Sequence, residues 1–286
     1  MGNAGAILIQ HLITAADCQR CYQAMLERYP LQRLTINRHT WEFCDTGGDL
    51  PVLLILPGGL ARADLAFRWL ARGHQRFRVI SLAYPNTIGK LADLAAKLQE
   101  LFEHLQLEAA WIVAGSYSGL IAQAVLHYRP QLALGLLLSD TGVPRRSRWV
   151  WLTLLQPLVA ILPLGVVRRL FWHGTQQFLQ PMAASLRPFW AERLHHNIHH
   201  LQRHDYLRLL NWWRELDWHL GAARWHGKLA MIVAEHDGLF GQRDQQLLRQ
   251  YYPAANYQLM AHAQHCASLA QIDAYIDWAL AWIEVA

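Results

Sequence analysis

Six short, nearly continuous apolar runs recur along this chain: Val52 to Leu56, Phe77 to Ala83, Ala110 to Ala114, Ala133 to Ser139, Leu229 to Ala234 and Asn256 to Met260. A strand with one face in water alternates apolar and polar residues. Runs without alternation are expected of strands buried on both faces. Helical patterns separate several of them. The clearest is Leu91 to Leu107, where Leu91, Leu94, Leu98, Leu101, Phe102 and Leu105 recur at three- and four-residue steps, while Asp93, Lys97, Glu100 and Glu103 point elsewhere. Buried strands alternating with amphipathic helices predict an α/β protein with a mostly parallel sheet flanked by helices.

Upstream, Ile7 to Tyr29 has helical periodicity and stops at Pro30, so residues 1–30 read as a helical extension. Leu34 to Cys44 alternates like one strand and ends at the turn Asp45-Thr46-Gly47-Gly48. From Gly142 to Gly227 no convincing strand occurs, and Trp, Leu, Arg and His abound. This predicts a core of residues 1–141 and 228–286 with a helical lid over 142–227. Such an insertion projects from the carboxyl edge of the sheet, where open α/β sheets bind ligands. At 286 residues and 53% apolar, the chain has ample material for a core, and disorder is excluded as its overall state. Its 13 Trp hint at an apolar pocket or partner surface.

Charge and cysteine content narrow the partners. The formal charge of +5 comes from 26 Lys and Arg against 21 Asp and Glu, mostly scattered Arg, so nucleic acid is not implied. Four Cys make neither a disulfide scaffold nor a zinc array. Cys18 and Cys21, one helical turn apart, read as packed thiols, and so does Cys266. His195, His196, His199, His200 and His204 include i, i+4 pairs, but no Asp, Glu or Cys occurs between His195 and His204. They read as a solvated, pH-sensitive helix face, and no metal is expected. Met1 to Ala6 lacks a basic n-region, Ala6 departs from the myristoylation pattern that Gly2 opens, and a cytoplasmic location is expected. Trp149 to Val167 is strongly apolar but interrupted by Pro157 and Pro163, which favours short lid helices over a membrane span. Arg145, Arg146, Arg148, Arg168 and Arg169 flank it and suit peripheral contact with a membrane surface through the lid. The sequence sets no oligomeric state.

The stretch with most chemical content is Ala114-Gly115-Ser116-Tyr117-Ser118-Gly119, between the run Ala110 to Ala114 and the helical Leu120 to Tyr128. A serine at the apex of a strand–turn–helix has its hydroxyl thrust clear of the sheet, and the backbone there tolerates only small residues two positions away. Ala114 and Ser118 meet that requirement for Ser116, although strict G-x-S-x-G is not matched. The helix N-terminus behind Ser116 favours a developing oxyanion, with the Tyr117 N–H as one donor.

Taken with three further stations in order, the chain from Leu34 to Ala286 resembles the α/β-hydrolase family. Leu56-Pro57-Gly58-Gly59 looks like its oxyanion loop, Ile232 to Gly238 like the strand end bearing its acid, and His265 precedes the helix Ala267 to Ile283 as its histidine does. The resemblance implies a Ser116–His265–Asp237 triad in the chain order of this fold, an oxyanion hole from the N–H groups of Gly59 (or Leu60) and Tyr117, and no cofactor. It puts the lid after the family's sixth strand, here Ala133 to Ser139. Asp140 competes with Asp237 for the acid, its simpler role being a cap before Gly142. His262 competes with His265, whose preceding residue is Gln264 where the family often has Gly. Arg78 to Pro85, His104 to Leu107 and Ala122-Gln123 also look locally like maspardin, a non-catalytic binding member of the fold that lacks the His. The implied activity is serine hydrolysis of an ester or thioester of an apolar or acyl-bearing small molecule. Carbon–carbon bond hydrolysis, acyl transfer and non-catalytic binding stay open, because fold and triad do not choose among them.

Overall fold

The computed structural model describes residues 14–59, 62–219, 225–265 and 267–286. Leu60, Cys266 and the beginning of the expected N-terminal helix lie outside these. What is described of that helix, α1 (Ala15–Arg28), opens on a capping box between Thr14 and Asp17 and buries Cys18, Cys21 and Met25. All three described cysteines, Cys18, Cys21 and Cys44, are buried free thiols. Burial pushes the Cys18 thiol up to about 12, an inert state for a thiol.

The sheet has eight strands: β1 (Gln32–Ile36), β2 (His39–Asp45), β3 (Val52–Leu56), β4 (Arg78–Ala83), β5 (Ala110–Gly115), β6 (Ala133–Ser139), β7 (Lys228–His236) and β8 (Asn256–Gln264). Their spatial order is β1-β2-β4-β3-β5-β6-β7-β8, parallel from β4 onward, with β1 and β2 antiparallel at one edge. The single strand expected over Leu34 to Cys44 is in fact a hairpin. Asn37 and Arg38 both have positive φ, 47° and 70°, as a two-residue hairpin turn demands. Arg in the second turn position, where Gly is usual, disguised it.

The helices α2 (Phe67–Gly73), α3 (Leu91–His104) and α4 (Tyr117–Tyr128) cross between successive parallel strands. α3 and α4 bury Leu94, Leu98, Leu120 and Ile121 against one face of the sheet. α1 and α2 cover the other face. Between β6 and β7 every regular element among the described residues is helical: α5 (Arg146–Ile161), α6 (Leu164–Leu179), α7 (Arg187–His200) and α8 (Arg203–His219). The apolar stretch Trp149 to Val167 is thus two helices, broken at Leu162-Pro163. No described helix is long and apolar enough to cross a membrane. After β7 come α9 (Gln242–Tyr251), then β8, a short α10 (Ala267–Ala270) and α11 (Ile272–Val285). α9 packs with the α3 and α4 layer, and α11 joins α1 and α2, so each sheet face carries its own core. α11 is fastened to α2 by the fully buried Arg68, whose Nε donates to Asp273 at 2.6 Å.

Candidate active site

The strand–turn–helix at Ser116 is built by backbone geometry before side chains enter. β5 ends at Gly115, α4 begins at Tyr117, and Ser116 alone makes the corner with φ 54° and ψ −124°. A non-glycine residue there is strained and persists only where its surroundings hold it. Here the Ser116 N–H donates to the Ser139 carbonyl at 2.8 Å, the Thr141 hydroxyl to the Ser116 carbonyl at 2.7 Å, and the Ser118 hydroxyl to the Gly115 carbonyl at 2.8 Å. Ala114 and Ser118, the small residues two positions either side, are both buried, but the closest approaches fall at two glycines. A Cβ on Gly115 would lie 2.6 Å from Ser139 Oγ, and one on Gly119 2.7 Å from Thr141. β6 is thus pressed against the turn. Thr141, which sequence reasoning missed, is one of the posts that hold it.

Three side chains from separate strand ends meet at this corner. Ser116 Oγ lies 3.0 Å from His265 Nε2, and His265 Nδ1 lies 3.0 and 2.9 Å from the two oxygens of Asp237. Asp237 Oδ1 also accepts the N–H groups of Leu239 and Phe240, both at 2.8 Å. Burial alone would raise the Asp237 pKa. The hydrogen bond and charge of His265 and the two backbone donors outweigh it and hold the carboxyl below its ordinary range. With the carboxylate on Nδ1, the imidazole presents the lone pair of Nε2 to the serine hydroxyl. His265 and Asp237 are both buried.

The rival positions lie elsewhere in the network. Asp140, at φ 43°, accepts the Ala234 N–H at 2.9 Å while its own N–H donates to Ile232, tying together the ends of β6 and β7. His262 is 92% exposed, its N–H donating to Glu235 at 2.8 Å. On the opposite side of Ser116, Gly59 follows β3 closely enough that a Cβ there would stand 3.7 Å from Tyr117 Cβ. The backbone at Gly59 and the first turn of α4 therefore flank one site. Tyr117, at the first position of that helix, has an N–H with no intrahelical acceptor. Its phenol is buried, donates to the Leu209 carbonyl at 3.0 Å, and is pushed far up by desolvation.

Ser116, Tyr117, Gly59 and His265 open into a cavity of about 460 Å³, within the range of small-molecule sites. Core and helical insertion share its wall. Trp69, Ile272 and Tyr275 come from the core, and Leu152, Phe178, Trp190 and Trp213 from the insertion. The Trp richness of the sequence is therefore partly a pocket lining. Phe178 packs on the His265 ring with centroids 4.7 Å apart, and Phe240 with centroids 5.8 Å apart. Neither ring was legible in sequence, because each reaches the site through the fold. The other sequence candidates do not converge here. The His rings of α7 stack in pairs, His195 on His199 and His196 on His200, each with centroids 4.0 Å apart. No group of three metal-ligating side chains occurs among the described residues.

No family model and no curated protein matches this sequence. Among solved structures it is similar to a hydrolase from Pseudomonas aeruginosa, with TM-score 0.75 and 16% identity over 88% of this chain and 98% of that one. It is similar to the enol-lactonase from Burkholderia xenovorans, with TM-score 0.72 and 14% identity over 88% of this chain and 100% of the other. It is also similar to a thermophilic esterase from Thermogutta terrifontis, with TM-score 0.70 and 16% identity over 88% and 98%. Maspardin finds no support among these structures. An eight-stranded, mostly parallel sheet, helices on both faces and these likenesses agree on one conclusion: the chain has the α/β-hydrolase fold.

Proposed function

We propose that this protein is a serine hydrolase that cleaves an ester or thioester of an apolar, acyl-bearing small molecule. The observation that carries the reading is the unbroken hydrogen-bonded path from Ser116 through His265 to Asp237 at the wall of an apolar cavity. A serine hydroxyl is a poor nucleophile until an imidazole takes its proton, and the imidazole needs a carboxylate to fix its tautomer and stabilise its cation. Ser116 Oγ attacks the acyl carbon as its proton passes to His265 Nε2, and the oxyanion is received by the N–H groups of Tyr117 and Gly59. His265 then protonates the leaving alcohol or thiol. Water activated by the same Nε2 hydrolyses the acyl-enzyme and returns the proton to Ser116.

Phe178, Trp190 and Trp213 receive the acyl group, with residues 142–227 acting as the lid. The names of the enol-lactonase and esterase neighbours point to the same bond class. Buried free thiols at Cys18, Cys21 and Cys44 suit a cytoplasmic, reducing location. The test is turnover of p-nitrophenyl esters of increasing acyl length by wild type and Ser116→Ala. Turnover lost in the variant is expected. Wild-type turnover no greater than that of Ser116→Ala would overturn the reading and leave a binding protein that keeps the fold.

A further inference from the structure

Eight of the fourteen exposed large apolar side chains among the described residues fall within Val150 to Leu170. On α5 they are Val150, Trp151, Leu154, Leu155, Leu158 and Ile161, at the spacing of one helix face, with Trp151 73% and Ile161 75% exposed. The opposite face is already used, since Leu152 and Val159 pack with Val167, Tyr206 and Leu210 beneath. The outward stripe is therefore unpartnered among the described residues, and a contiguous exposed apolar stripe marks a surface that meets something apolar.

Charge indicates what that is. The fifty-one residues from Thr141 to Ala191 include six Arg and no Asp or Glu, and of the six Arg145 and Arg148 form ion pairs with carboxylates outside that stretch, Asp244 and Asp217. Arg146 and Arg169, at the two ends of the apolar region, are both exposed. A second copy of the chain seated on this face would bring like charges together, because a twofold interface pairs a patch with itself. A layer of anionic headgroups above an apolar interior is complementary to the exposed Arg146 and Arg169 and to the Trp and Leu side chains between them.

We propose that the outer face of α5, with the start of α6, docks the protein on an anionic phospholipid bilayer, α5 lying in the interface with Trp151, Leu158 and Ile161 dipping below the headgroups. Leu155 belongs both to this face and to the wall of the cavity beside Ser116. The docked face thus borders the pocket. Docking itself rests on these surface residues and not on the reactivity of Ser116.

The test is sedimentation of the full chain with vesicles of phosphatidylcholine alone or with phosphatidylglycerol at about three to one, in roughly 0.1 M salt. Wild type is expected to pellet with the anionic vesicles and at least about tenfold less with the neutral ones. Trp151→Asp with Ile161→Asp should lower binding at least about tenfold, and Arg146→Gln with Arg169→Gln should lower it on anionic vesicles only. These side chains lie outside the core, so the variants retain the wild-type circular dichroism and their losses report the surface. Wild type left in the supernatant, or pelleting unchanged by both pairs, would overturn the proposal. So would a wild-type dimer that Trp151→Asp with Ile161→Asp converts to monomer without vesicles, which would assign the face to self-association.

Discussion

Phe178, carried by the helical insertion, lies against the imidazole of His265, their ring centroids 4.7 Å apart and tilted by 54°. The base of the proposed triad is thus held by the core on one side and by the insertion on the other. An aromatic pair of this kind is worth about 0.5–1.5 kcal/mol. Phe178→Ala should therefore lower kcat/KM for acyl esters by roughly tenfold, chiefly through KM as the cavity wall is cut back. Steady-state kinetics over a series of acyl lengths checks this. An unchanged KM for every chain length would separate Phe178 from the acyl site.

Asp237 predicts both a kinetic and a pH effect. Replacing a triad carboxylate by the amide loses the tautomer and costs about ten-thousand-fold in kcat, so Asp237→Asn should retain its fold and almost none of its turnover. The Asp237 pKa in the folded chain lies below its ordinary 3.8. The carboxylate therefore contributes stability that is fully present above 3.8 and is lost as pH falls through the lower, folded value. Urea unfolding should show wild type more stable than Asp237→Asn, with the part of the margin that belongs to the carboxylate lost below about 3.8. A margin that persists unchanged well below 3.8 would place its origin elsewhere.

The corner at Ser116 stores strain that a glycine removes. With φ at 54°, Ser116→Gly should be more stable than Ser116→Ala by about 1 kcal/mol, despite the larger entropy that glycine gives the unfolded chain. Both variants should be inactive. Equal denaturation midpoints for the two would mean that the surrounding hydrogen bonds leave no strain there.

Much of this was legible along the chain because it rests on local pattern. Buried parallel strands read as continuous apolar runs, and Ser116 and Asp237 each sit just beyond such a strand, whereas His265 follows the edge strand β8, whose side chains are mostly exposed. The hairpin of β1 and β2 was not legible, since its turn uses Asn37-Arg38 without a glycine. Nor were Thr141, Phe178 and Phe240. Their contacts join residues far apart in sequence, and no local periodicity encodes which helix of an insertion will face a strand end. Helix limits shifted where backbone geometry intervened. α3 ends at His104 instead of Leu107 as the chain turns through Gln106 at φ 57°.

The ion pair that fastens α11 beneath the site makes a prediction about stability. Arg68 is fully buried and bonded to Asp273. Removing one partner of a buried ion pair costs about 3–5 kcal/mol. Asp273→Ala should lower the denaturation midpoint accordingly, and Arg68→Met with Asp273→Ala should recover most of the loss. A double variant no better than the single one would show that the Arg68 charge is not what makes the loss large.

The central claim is that Ser116 is an activated nucleophile. Its most direct test is incubation of the purified chain with a fluorophosphonate and location of the adduct by mass spectrometry, alongside Ser116→Ala and His265→Ala. The account predicts one adduct, on Ser116, absent from both variants. A folded wild-type chain left unlabelled, or labelled equally in His265→Ala, would contradict it.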